Sequence, residues 1–181
     1  MSVSNNLNKF GKRVVKESKT ALTKQKKNAS KELYNSIKYN FKEHKNSFHL
    51  SFEMSEHGKF LDKGVTGNND PNFKGKKKTA YKSSAGYHFG SGNFKGKGNE
   101  WKKRIDKWMY SRGIAPRDNK TGRFIKRDTV NYLIRRSIYQ HGTKETSFFT
   151  KPFESAFKSL PEEVIKAYAL EVDELFDNVF K

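Results

Sequence analysis

The chain has 181 residues, of which 33% are hydrophobic and 14% aromatic, enough for one domain with a small core built from phenylalanine and tyrosine. Lysine and arginine number 38 against 19 acids, a net charge of +19 that suits a partner of negative surface. Cysteine is absent, which excludes disulfides and thiolate metal sites and fits a reducing cytosol.

No apolar stretch approaches membrane-spanning length, so no membrane contact is expected. The opening Met-Ser-Val-Ser-Asn-Asn-Leu lacks a hydrophobic signal region, and secretion is not expected either. The charge is uneven, with +8 over residues 1–66, +12 over 67–128 and −1 over 129–181. The front and the tail should therefore present different kinds of surface.

Residues 3–27 have the pattern of a long amphipathic helix. Val3, Leu7, Phe10, Val14 and Ala21 lie close to a seven-residue spacing, with lysines on the other face. A break follows, and from Ser36 the period becomes two. Ile37, Tyr39 and Phe41 alternate with polar residues, as do Phe48, Leu50, Phe52 and Met54. This pattern predicts an antiparallel hairpin over 36–54, with one apolar face packed on helices from both chain ends. Residues 55–64 should form a turn or two of helix ending at Gly64.

Residues 66–99 keep no period and hold seven of the thirteen glycines. They read as a loop that gains order against neighbours. Residues 100–112 predict a helix with Trp101, Ile105, Trp108 and Met109 on one side and Gly113 as its stop, and a turn-rich link follows. Over 129–160, Val130, Leu133, Ile134 and Ile138 share a helical face, Asp128 suits an N-cap and Gly142 a C-terminal cap. Thr143–Ser147 should lie on the surface. Phe149, Phe153 and Phe157 then share the face of a helix entered through Pro152, so that 129–160 forms one packed unit. Pro161, Glu162 and Glu163 open a last helix, whose apolar face is Val164, Tyr168, Val172, Leu175 and Val179. The fold class expected is α+β: an antiparallel sheet, the hairpin plus a possible further strand, packed against long terminal helices. The organisation expected is a single domain, 1–181, with a basic loop and helix insert at 66–141.

The tests for chemistry are negative. His44, His49, His57, His88 and His141 show no metal-ligand spacing, and a structural or surface histidine is the better reading. The glycine-rich Gly90-Ser-Gly-Asn-Phe-Lys-Gly-Lys-Gly fails the Walker spacing and follows no convincing strand. No nucleophile has a base near it, so neither an enzyme nor a cofactor is expected. The best contact candidate is the basic, aromatic-bearing loop. There Lys74, Lys76, Lys77, Lys78, Lys82, Lys95 and Lys97 would neutralise phosphates or acidic protein patches. Tyr81, Tyr87, Phe89 and Phe94 would stack on bases or fill a partner surface. Trp101 and Trp108 fit a core or subunit interface better than a stacking platform.

The order of segments carries a resemblance. A long N-terminal helix leads to Lys31-Glu-Leu-Tyr-Asn-Ser-Ile and the hairpin, then to His57-Gly-Lys-Phe-Leu-Asp-Lys-Gly-Val. Later comes Lys151-Pro-Phe-Glu-Ser-Ala-Phe before a closing helix. This resembles the tail-completion (head–tail joining, or neck) proteins of tailed bacteriophages. In that family a Thr-Gly-x-Leu-x-x-Ser-Ile segment opens the hairpin, where this chain has Ser30-Lys31 in place of Thr-Gly. Asp62-Lys-Gly-Val stands for the family's Glu-x-Gly-Thr turn. The resemblance covers 3–65 and 142–180 and leaves 66–141 as an insert. It implies a non-catalytic structural subunit, made in the host cytoplasm. It further implies a homo-oligomeric ring in the virion between portal and tail proteins, in possible contact with packaged DNA. The alternative is a free-standing basic nucleic-acid-binding protein.

Overall fold

In a computed structural model of the chain, the residues described are 2–27, 31–45, 47–68, 80–89 and 99–179, without the side chains of 171 and 173–179. The fold is α+β, with helices beside small antiparallel sheets. The chain divides into two compact units, Met1–Gly58 with Ser147–Lys181, and Lys59–Thr146 between them. Of the stretch expected to form one packed body, 129–160, the first part thus belongs to the second unit and the Phe-rich part to the first. The expected insert 66–141 lies wholly inside the second unit.

The first unit begins with α1 (Val3–Lys24), capped by the Ser2 hydroxyl, which accepts from the Asn5 amide. Its buried line is Val3, Asn6, Phe10, Gly11, Val14, Ser18 and Leu22. The line runs through Ser18 and Leu22 rather than Ala21, because 3.6 residues per turn drifts away from a strict seven-residue repeat. Gly11 lowers helix propensity by about 1 kcal/mol against alanine. Its reason is packing: a β-carbon there would fall 2.5 Å from Tyr39 Cδ2. A short helix α2 (Glu32–Ser36) precedes the hairpin of β1 (Lys38–His44) and β2 (Ser47–Glu53). Tyr39 pairs with Phe52 and Phe41 with Leu50, so the predicted apolar face is real. It is only partly buried, however, and Phe48 stays 44% exposed; Ile37, just ahead of the strand, is fully buried.

The chain returns to the first unit with α6 (Thr150–Phe157) and α7 (Leu160–Val179). α1 packs on α7, β1, α6 and β2. The core joins Phe10, Val14, Ala156 and Leu160 to Leu50, Phe52, Phe149 and Phe153. Phe10 meets Phe52 and Phe153 edge-on, with centroids 6.1 and 5.7 Å apart, in the arrangement that ring quadrupoles favour. Asn6 Nδ2 donates to the Glu163 carbonyl at 2.9 Å and ties α1 to α7. Among the described side chains of α7, Leu160 and Ala167 are buried and Val164 is partly buried. Tyr168, expected inward, is 65% exposed.

The second unit holds most of α3 (His57–Lys63), β3 (Val65–Thr66), α4 (Asn99–Ser111), α5 (Arg127–His141) and β4 (Gly142–Thr143). α3, α4 and α5 each meet an expected glycine, Gly64, Gly113 and Gly142, and all three glycines have positive φ. β3 pairs antiparallel with β4, Val65 with Thr143 and Thr66 with Gly142, in a sheet separate from the hairpin. Thr143–Ser147 is therefore not a bare surface connection. Thr143 is in a strand, Thr146 Oγ1 donates to the Leu61 carbonyl at 2.7 Å, and Ser147 is buried. Asp128 does not cap α5, which starts two residues before the expected Thr129, at Arg127 after Lys126. Instead Asp128 receives the Lys102 ammonium at 2.9 Å. The buried residues of α5 are Val130, Asn131, Tyr139 and Gln140, while Leu133 is 50% exposed. The fully buried Asn131 looks polar in a pattern. Its Nδ2 donates to the Lys102 carbonyl and to Asp106 Oδ1, and its Oδ1 accepts from Arg135 Nε. The amide thus joins α4 to α5 without orphaned atoms.

Candidate functional site

The expected contact loop separates into described and undescribed parts. Lys74, Lys76, Lys77, Lys78, Phe94, Lys95 and Lys97 lie outside the described residues. The middle of the loop, 80–89, is tied into the second unit by backbone hydrogen bonds. Tyr81 N donates to His141 O, Thr66 N to Tyr87 O and Phe89 N to Thr66 O, at 2.7–3.0 Å. For 80–89 this corrects the expectation of a structureless loop; 69–79 and 90–98 lie outside the described residues. Tyr81 is 47% exposed and Lys82 exposed, as a contact surface requires.

Tyr87 and Phe89 sit differently. The Tyr87 ring meets Phe60 edge-on at 4.9 Å; Phe89 stacks on Trp101 at 6.1 Å and leans on Tyr139 at 5.7 Å. Their rings serve the second unit's own packing instead of standing free for bases. Phe89 helps line a mainly apolar cleft of about 520 Å³ with Phe60, Leu61, Trp101 and Ile138. Trp101 is thus a packing residue, whereas Trp108 is 39% exposed.

A second cationic surface, in the first unit, was not singled out from the sequence. The outer face of α1 lines a shallow groove of about 510 Å³ with Lys12, Lys16, Lys19, Lys24, Tyr34 and Tyr39. Helical rise places Lys12, Lys16 and Lys24 about 6 and 12 Å apart along the axis, a row of ammonium groups on one face. Lys19 Nζ stands 5.1 Å from the centre of the Tyr34 ring. The acid on this helix, Glu17, binds Arg13 Nε at 2.9 Å and raises the pKa of that guanidinium by hydrogen bond and charge. Its charge is thereby spent on Arg13. The sequence signal for this surface is the four-residue spacing of lysines opposite the apolar stripe.

Among the described residues no cluster of three His, Asp or Glu side chains is placed to hold a metal ion. His141 Nδ1 lies 2.9 Å from the Ser137 carbonyl, a contact internal to α5. No described helix is long and apolar enough to cross a membrane. The groove and the cleft can bind, one by charge and one by apolar area. No family model, curated protein or solved structure matches this chain.

Proposed function

We propose that the protein is a structural component of a tailed-phage virion, part of the head–tail connector, or neck. Several copies form a ring between portal and tail. The observation that carries this reading is the second apolar face of α7. Leu160, Val164 and Ala167 point into the first unit, but Ile165 is 68% and Tyr168 65% exposed. Ile165, Tyr168 and Val172 follow at three and four residues and form one stripe. A helix apolar on two faces is a buried helix, and here the second face lacks cover within the unit.

Charge agrees with assembly. The sequence of α7 holds six acids and one lysine, while the outer face of α1 is a row of lysines. One unit thus holds an acid-rich helix with an exposed apolar stripe and a helix with a basic outer face. Unlike faces that meet head to tail close into a ring when the rotation allows. The basic faces of a ring would give a positive field for DNA passing through it. The same lysine row supports the second reading, a basic nucleic-acid-binding protein that acts alone.

Sedimentation velocity across a concentration series separates the two. The neck reading expects a discrete oligomer that Ile165→Asp with Tyr168→Asp reduces to monomer without changing the far-UV circular dichroism. A monomer at every concentration that still binds DNA favours the second reading.

A further inference from the structure

The segment between α4 and α5 is a small hairpin held almost entirely by itself. Arg117 and Phe124 form an antiparallel bridge; Asp118 N donates to Arg123 O, and Gly122 N to Asp118 O, both at 2.8 Å. The Asp118 carboxylate accepts from the amides of Thr121 and Lys120 at 2.8 and 2.9 Å and from the Thr121 hydroxyl at 3.1 Å. Those bonds, the Thr121 amide first, hold the Asp118 carboxyl below its ordinary pKa. Gly122 closes the turn at φ +67, where a side chain would be strained.

This ordered hairpin buries little. Ile114 and Ile125 are partly covered, while Arg117, Lys120, Arg123, Phe124 and Lys126 are exposed. Phe124 is 62% exposed, and the Arg117 guanidinium lies over its ring at 4.1 Å while an Arg117 Nη1–H reaches the Gly122 carbonyl. Ordering a loop has an entropic cost, and an exposed phenylalanine adds another. Neither is needed for a solubilising surface, which lysines alone provide. Three further exposed cations, Lys120, Arg123 and Lys126, lie within four residues of Phe124 along the chain, and the single acid of the hairpin is occupied by its own turn.

We infer that the hairpin 116–125, with Lys126 beside it, is a contact site for single-stranded nucleic acid. Lys120, Arg123 and Lys126 meet phosphates, and an unpaired base stacks on Phe124 from the side away from Arg117. Arg117 is a positioning residue: it holds the ring and adds a cation behind the stack. A duplex offers the same phosphates but no free base face. An acidic protein offers charge with neither repeat nor base. The inference stands whether or not the chain forms rings.

Fluorescence anisotropy of the full chain tests it, with a labelled 20-nucleotide single strand, the matching duplex and polyglutamate as probes over a salt series. The single strand is expected to bind tightest. Lys120→Gln with Arg123→Gln should weaken it by about tenfold and lower its salt slope by about 1.4, the value for two lost phosphate contacts. Phe124→Ala should weaken the single strand about tenfold with the slope unchanged, and leave the duplex as it was. Both variants change exposed residues, and an unchanged melting curve certifies the fold. Unaltered binding by the charge variant overturns the site. A duplex bound as well as the single strand, or a silent Phe124→Ala, overturns the single-strand assignment. Tighter binding of polyglutamate, lost in the same variants, transfers the surface to an acidic protein partner and overturns the inference.

Discussion

In the first unit Phe52 meets Phe10, Phe149 and Phe153 edge to face, and Phe10 meets Phe153 in the same way. In the second, the chain closes on its backbone. β3 and β4 pair through two residues each, and a β-carbon at Gly142 would strike the Val65 carbonyl and lie 2.6 Å from Gly67 N. One unit is stabilised by area removed from water, a term that tolerates small shifts. The other depends on a close approach and on polar groups that must each find a partner, which tolerates almost none. The difference predicts that conservative changes in the second unit do as much harm as large truncations in the first.

The sharpest case is Gly142→Ala. It adds one carbon where backbone already lies, at a residue with φ +81. The expected loss is about 4 kcal/mol or more, read as denaturant unfolding at a much lower midpoint. Hydrogen exchange should show the amides of Thr66 and Tyr81 losing protection first. A mild effect would mean that β3–β4 does not close the second unit.

Phe10→Ala comes next. Phe10 is 7% exposed and meets Phe52, Phe153 and Phe157, so the expected loss is about 3–5 kcal/mol. Phe52, only partly buried, should lose less on truncation, and a larger loss there than at Phe10 would misplace the centre of the core. Thermal unfolding of the two variants ranks them directly.

Asn131→Leu keeps the volume and removes every polar partner. Asp106 and the Lys102 carbonyl each lose a donor, and Arg135 loses an acceptor. About 1–3 kcal/mol is expected, concentrated in α4 and α5 by hydrogen exchange. An equally stable variant would show that apolar contact, and not the amide network, joins α4 to α5.

The smallest effect is in pH. Lys102, by hydrogen bond and charge, holds the Asp128 carboxyl below its ordinary value, and the Asp118 turn does the same for its own. A depressed folded pKa gives stability that is complete above the unfolded carboxylate value of about 3.9 and is lost as pH falls through the folded values. Acid titration below about pH 4 should therefore loosen the α4–α5 pair. Asp128→Asn should flatten that dependence slightly, since the pair is exposed and screened. A variant with a steeper acid transition than the parent would reverse the assignment.

The parts of the fold that repeat locally were legible. Alternation at Ile37, Tyr39 and Phe41 and at Phe48, Leu50 and Phe52 gave the hairpin and its face, and the positive-φ glycines gave three helix ends. The β3–β4 pair was not, because two-residue strands 77 positions apart leave no period. Asn131 and Ser18 break an apolar pattern while being buried, so the buried lines of α5 and α1 depart from the apolar stripes of the sequence. Tyr87 and Phe89 carried no local sign that Phe60, Trp101 and Tyr139 would cover them. The acidic turn of Asp118 and Gly122 was visible as a turn. That it forms a rigid display between two helices emerges only from its hydrogen bonds.

The central claim is that α7 presents an apolar face for a neighbouring copy in a closed ring. Electron microscopy of the purified chain at concentrations where sedimentation shows an oligomer tests it most directly. The account predicts class averages of closed rings with one copy number and a central opening, absent in Ile165→Asp with Tyr168→Asp. Two-fold dimers, open filaments, or rings that survive that double change would contradict it.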